Sequence, residues 1–125
     1  MIPDNLKYSK EHEWIKVEGD MAVMGITDFA QGELGDIVFI ELPSIGKKVE
    51  QMKPFGTIEA VKAVSDMFAP VSGEIIEVNT SLEADAGVIN SDPYGNGWIV
   101  KIKLANKAEL NQLLDAKSYA ELIGQ

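Results

Sequence analysis

Between positions 55 and 73 two strand-like runs stand too close together to be anything but the arms of a hairpin. One covers residues 55–60 and the other 65–71. The joint is Val61-Lys62-Ala63-Val64, which leaves room only for a tight turn. Strands joined that closely pair antiparallel, so a β-hairpin sits in mid-chain with its tip in solvent. The tip has unusual chemistry. Tight hairpin turns favour Asn-Gly, Asp-Gly or Gly-X, because the backbone there needs φ > 0. This one offers two valines and one long amine. A turn built without turn residues points to selection for the side chain that it presents, Lys62.

The chain on either side reads as further short strands. Residues 12–17 and 21–26 flank Glu18-Gly19-Asp20, which is proper turn chemistry. The preceding segment, 1–10, is polar and leads into the first strand. Thr27 can N-cap a short helix that Gly35 ends. Strands are expected over 36–42 and 74–79, with a brief one at 47–50. Residues 80–90 are mixed, and 91–97 are too dense in turn residues for regular structure. From Trp98 to Leu104 the chain alternates, with Trp98, Val100, Ile102 and Leu104 on one face and Ile99, Lys101 and Lys103 on the other. Asn106 with Glu109 reads as a capping box for a helix burying Leu110, Leu113 and Leu114. Ser118 with Glu121 reads as a second box for a terminal turn.

The run that starts Gly35-Asp36-Ile37-Val38 is echoed by Gly73-Glu74-Ile75-Ile76, with Lys62 between the copies. Two similar β-halves around a hairpin suggest a small sandwich with pseudo-two-fold symmetry. At 125 residues and 46% hydrophobic content the chain is expected to form one domain with one core, 1–125, including a C-terminal helical extension at about 106–123.

Catalytic constellations are scarce. His12 is the single histidine, and there is no cysteine, so neither a thiolate nucleophile nor a zinc site of the usual types can be assembled. No G-x-S-x-G elbow, P-loop or dinucleotide fingerprint occurs. The formal charge of −9 argues against nucleic acid and anionic membranes, which require cationic patches. The N-terminus carries charges where a signal peptide needs an apolar stretch. A cytoplasmic protein is expected, or a mitochondrial matrix one if the chain is a processed form.

What remains is Lys62. Glu59 and Asp66 bracket it as candidate recognition charges, Ala60 and Ala63 leave the approach clear, and Gly73 opens the echoed strand. The plainer alternative is an ordinary surface lysine on a loop.

Residues 59–66, Glu59-Ala60-Val61-Lys62-Ala63-Val64-Ser65-Asp66, resemble the lipoylation motif of the glycine cleavage system H proteins. Further landmarks of that family follow in order. They are Ser9-Lys10-Glu11-His12-Glu13-Trp14, Gly25-Ile26-Thr27 through Val38, Ala69-Pro70-Val71-Ser72-Gly73-Glu74, Asn90-Ser91-Asp92-Pro93-Tyr94 and Gly97-Trp98. The chain departs at Ala60, where the family usually has serine, and Glu11 stands where some relatives have a small hydroxyl residue.

The resemblance implies a mainly β lipoyl/biotinyl-type sandwich, a barrel-sandwich hybrid, that is a carrier and not an enzyme. Lys62 would bear lipoic acid in amide linkage. The arm would take the aminomethyl group of glycine from a glycine decarboxylase (P protein) to an aminomethyltransferase (T protein), and a dihydrolipoyl dehydrogenase (L protein) would reoxidise it. A lipoate-protein ligase or a lipoyl/octanoyl transferase would attach the arm to what is expected to be a monomer. The cargo ends in an amine that is protonated near pH 7, so the cleft that stores it needs acidic or carbonyl partners. Glu13, Asp66 and His12 are the candidates by resemblance. Three alternatives stand beside this one. A biotinyl carrier would flank its lysine with methionines. A lipoyl domain of a 2-oxoacid dehydrogenase would show Asp-Lys-Ala. An H-like protein could instead serve as a lipoyl donor or relay in cofactor assembly.

Overall fold

The computed structural model describes residues 2–125. Two antiparallel sheets face each other across the core, the mainly β sandwich expected from the pattern of short runs. The larger sheet is built from β1 (Lys7–Tyr8), β2 (Glu13–Glu18), β3 (Met21–Ile26), β5 (Lys48–Val49), β8 (Gly73–Val78) and β9 (Val100–Leu104), in the order β1-β2-β3-β9-β8-β5. The smaller holds β4 (Ile37–Glu41), β6 (Pro54–Ala60) and β7 (Val64–Phe68), in the order β4-β6-β7. The echoed runs therefore land one in each sheet, as β4 and β8.

Alternation along the strands explains what fills the space between the sheets. Ile37, Ile40, Ile58 and Met67 point inward from the small sheet, and Ala22, Met24, Ile75 and Ile102 meet them from the large one. Short helices close the ends: α1 (Asp28–Leu34), α2 (Ser81–Ala84) and α3 (Val88–Ser91). A second apolar cluster lies outside this core. It joins Leu6 and Tyr8 to Trp14 and to Tyr119 of α4 (Ala116–Leu122), with the Tyr8 and Tyr119 rings stacked at 4.7 Å. Among the described residues no helix is long and apolar enough to cross a membrane.

Several local expectations are corrected. The polar N-terminal segment is anchored by Leu6 and by Tyr8, whose backbone pairs with Leu114 through N–H···O bonds of 2.8 and 2.7 Å. Ile99, assigned to the outer face, is fully buried. It precedes β9 and packs into the main core while its N–H reaches Met24 O at 2.8 Å. The segment after Asn106 is a 3-10 helix, Lys107–Gln112, capped by Asn106 alone. The Glu109 carboxylate does not return to Asn106. It accepts from Ser72 N at 2.7 Å and from Ser72 Oγ at 2.8 Å, tying the C-terminal region to the start of β8. The terminal helix is capped by Asp115, which accepts from Ser118 N at 2.8 Å, so no Ser118–Glu121 box forms.

Candidate functional site

The hairpin tip narrows to two residues. Ala60 N donates to Ala63 O at 2.7 Å and Ala63 N to Ala60 O at 3.4 Å, which leaves Val61 and Lys62 as the central pair. Neither has a positive φ, so the primed turns expected of so short a loop are not used. The tip is steadied from outside the hairpin instead, by Val61 N donating to Asp36 O at 2.9 Å.

That support comes from the junction of α1 and β4. Thr27 caps α1, its Oγ1 accepting from Ala30 N, and Gly35 ends the helix at φ 80°. Asn90 clamps the junction. Its Oδ1 accepts from Ile37 N, and its Nδ2 donates to Gly35 O and to Gln31 Oε1, each at 2.9 Å. The exposed Lys62 does not stand straight out. Its stem turns back over Gly35, where a β-carbon would come within 3.2 Å of Cε.

Beyond Gly35 a cleft of about 360 Å³ runs along α1. Phe29, Ala30 and Leu34 form one wall, and Ile58, Asp66 and Phe68 of the hairpin form the other. His12 and Glu13 close it at the head of β2. The walls are mainly apolar, while Glu11, Glu13, Glu33 and Asp66 supply acid groups and His12 is the one basic side chain. Such a cleft suits a ligand with an apolar body and a cationic end.

Glu13 is 2% exposed. Burial pushes its carboxyl up to about 8, against the hydrogen bonds from Ser9 Oγ and from Phe68 N. Ser9 Oγ is itself fixed by accepting from Glu11 N and Glu13 N at 3.2 Å. With no cation beside it, Glu13 therefore keeps its proton near neutral pH. His12 sits at φ 71°. Burial lowers its pKa, opposed by Glu11 and Glu33. Its Nδ1 lies 2.8 Å from Tyr119 Oη, and its ring packs 5.0 Å from that of Phe29.

The structure thus brings Glu13, His12 and Asp66 together around one cleft, and the helix that walls it ends at Gly35, beneath the Lys62 stem. Glu59 is exposed beside the tip, in register with Val64 and facing away from the cleft-lining Ile58. Gly73 does not line this cleft. It lies in the other sheet, where a β-carbon would stand 2.0 Å from Lys103 O, so close packing of β8 on β9 accounts for the glycine. A hollow of about 570 Å³ beside Gly73 is rimmed by the Lys48–Glu74 ion pair, 2.9 Å long, and lies away from Lys62.

Ser9, Asn90 and Tyr119 receive no role from the sequence, and Thr27 receives only its helix cap. Each acts through a hydrogen bond between segments far apart in the chain or through burial of a polar group, and spacing does not report either. Two family landmarks do explain each other in space: Trp14 Nε1 donates to Pro93 O at 3.0 Å, and its ring leaves no room for a β-carbon on Gly25.

Comparison with known proteins gives a consistent result. The profile of the family described as glycine cleavage H-protein matches residues 6–125. The chain is 60% identical to a glycine cleavage system H protein of Chlorobium limicola, over 99% of this chain and 98% of that one. It is 57% identical to the same protein of Symbiobacterium thermophilum, covering 94% and 92%. A crystal structure of an H protein from Mycobacterium marinum superposes with a TM-score of 0.90 at 39% identity, covering 99% of this chain and all of the other.

Proposed function

This chain belongs to the glycine cleavage H-protein family, and from that membership we propose that Lys62 is the residue that bears its lipoyl arm. H proteins carry lipoyl-lysine, and the chain is a lipoyl carrier of glycine cleavage that does not itself catalyse turnover. Its partners are then the enzymes that load, unload and reoxidise the arm: the P, T and L proteins. A ligase or a lipoyl/octanoyl transferase attaches the arm.

The observation that supports the assignment is the path of the Lys62 stem over Gly35, at the end of the helix that forms one wall of the cleft. Amide formation at Nζ removes the lysine charge and lets a long hydrocarbon arm lie against Leu34, Ala30 and Ile58. The arm supplies the sulfur chemistry when bound, and the protein supplies presentation and storage. At the tip, Lys62 is open to a modifying enzyme, with Glu59 alongside as a recognition charge. In the cleft, Asp66 and Glu13 hold the cationic end of the cargo. An ammonium arriving beside Glu13 favours the carboxylate, so Glu13 gives up its proton as the cation docks. The pair then shields the cargo from water between partners.

Intact mass tests the attachment. After incubation with a lipoate ligase and lipoate, the chain should gain one lipoyl group, and Lys62→Arg should gain none. An unshifted mass, or a shift that survives Lys62→Arg, would defeat the assignment.

A further inference from the structure

The histidine of the cleft has one ring nitrogen accounted for and one that no described residue bonds. Nδ1 meets Tyr119 Oη at 2.8 Å, and Tyr119 Oη also meets Thr27 Oγ1 at 2.8 Å. Thr27 and Tyr119 are both fully buried, so neither hydroxyl proton can be left to water. Thr27 Oγ1 already accepts from Ala30 N at 3.2 Å. Its own proton has one described acceptor within reach, Tyr119 Oη. A phenol that accepts there spends its single proton on the remaining neighbour, His12 Nδ1. The opposite order, with His12 Nδ1–H donating to Tyr119 and Tyr119 donating to Thr27, strands the Thr27 proton in the interior. The chain of donors therefore runs Thr27 to Tyr119 to His12, and it leaves the imidazole neutral with its proton on Nε2. Burial, which disfavours the charged ring, acts in the same sense.

The tautomer limits what the ring can do for the arm. A neutral ring whose Nδ1 lone pair is taken has only an N–H to offer. It cannot accept from an ammonium, so His12 is not a partner of the cationic cargo, in contrast to the role that the resemblance implied. It needs an acceptor. Position along the cleft decides which one. The Lys62 stem lies at Gly35, just past the C-terminal end of α1, and the arm's amide stays there. His12 lies at the other end, its carbonyl accepting from Thr27 N at 3.0 Å and its ring against Phe29. Seven helical residues separate the two ends, or about 10 Å. An arm laid along α1 brings its sulfurs, not its carbonyl, to His12.

We propose that His12, held as the Nε2–H tautomer by Tyr119, donates a hydrogen bond to the sulfur end of the lipoyl arm. The proposal rests on attachment at Lys62. His12 and the acids then divide the labour at the closed end of the cleft. Glu13 and Asp66 take the cationic nitrogen, and His12 takes the sulfur beside it. The donor also opposes the field of Glu11, Glu33 and Asp66, which line the cleft and disfavour a thiolate there. Tyr119 is a positioning residue in this scheme, linking the C-terminal helix to a ring that it never lets turn.

Two features of the chain make the test direct. His12 is the only histidine and there is no cysteine, so every imidazole signal is His12 and every thiol is the arm's. Long-range proton–nitrogen correlation on the unmodified protein should show the Nε2–H tautomer, and a mixture of tautomers in Tyr119→Phe, which keeps the ring but loses the hydroxyl. Lipoylated protein, its loading checked by mass, is then reduced and its thiolate absorbance titrated. His12→Asn, which tolerates the left-handed backbone, should raise the lower thiol pKa by about one unit, and Tyr119→Phe should raise it by less. An Nδ1–H tautomer in the unsubstituted protein overturns the proposal, and so does an unchanged thiol pKa in His12→Asn. The tautomer is read before any arm is attached, so its failure is distinct from a failure of Lys62 to load.

Discussion

The stem of Lys62 lies across Gly35, and the two residues limit each other. Gly35 sits at φ 80° and ψ −158°, a conformation almost confined to glycine, and a β-carbon there would press on Lys62 Cε from 3.2 Å. Gly35→Ala should therefore have two effects. Backbone strain should cost about 1–3 kcal/mol, seen as a lower denaturation midpoint with an unchanged m-value. The displaced stem should also slow attachment of the arm under conditions where the variant is fully folded. Normal stability together with a normal rate of lipoylation would show that Gly35 neither needs its conformation nor guides the lysine.

Glu13 makes stability depend on pH in an unusual direction. Its carboxyl is raised from 4.5 to about 8 by burial, so the folded state holds a proton that the unfolded state has lost. The associated stability is fully present below about pH 4.5 and is lost as pH rises to about 8. A loss of a few kcal/mol across that window is expected, and Glu13→Gln should flatten it. Denaturant titrations at a series of pH values measure this. A stability that rises through the same range would mean that the carboxyl is ionised in the fold.

Much of this site is legible in the sequence, and what is not has a physical reason. The hairpin, its lysine, the turn at 18–20 and the capped helix from Thr27 to Gly35 follow from local pattern, because strand alternation and helix caps are short-range. Glu13 and Asp66 are both candidate acids by resemblance, but the burial that makes Glu13 differ from Asp66 belongs to tertiary packing, where Phe68 N reaches its carboxyl group. Tyr8 and Tyr119 stack from opposite ends of the chain, so a segment that reads as a polar leader is anchored. Glu109 stands where a capping box would use it, yet its two oxygens are taken by Ser72. A tertiary bond outcompetes the local one. Gly73 draws notice for its place at the start of the echoed strand, and its close approach to Lys103 explains it without any role at the lysine.

Substitution at Gly73 separates packing from recognition. A methyl group there would meet the Lys103 carbonyl at 2.0 Å and Ile102 Cγ2 at 2.7 Å, and a backbone neighbour cannot swing aside. Gly73→Ala should destabilise by about 3 kcal/mol or more, while the fraction that remains folded accepts lipoate at the usual rate. Unchanged stability with impaired lipoylation would restore Gly73 to the recognition surface.

In the proposed carrier cycle the loaded arm is stored in the cleft, with its cationic end between Glu13 and Asp66. The most direct measurement is the rate at which the loaded carrier loses its one-carbon cargo to water, with no partner present. The protein should be compared with a Glu13→Gln, Asp66→Asn double variant, lipoylated to the same extent. Each charge-assisted hydrogen bond contributes on the order of 1.5–3 kcal/mol, so the variant should release its cargo at least about tenfold faster. Equal rates in the two proteins would contradict storage in this cleft.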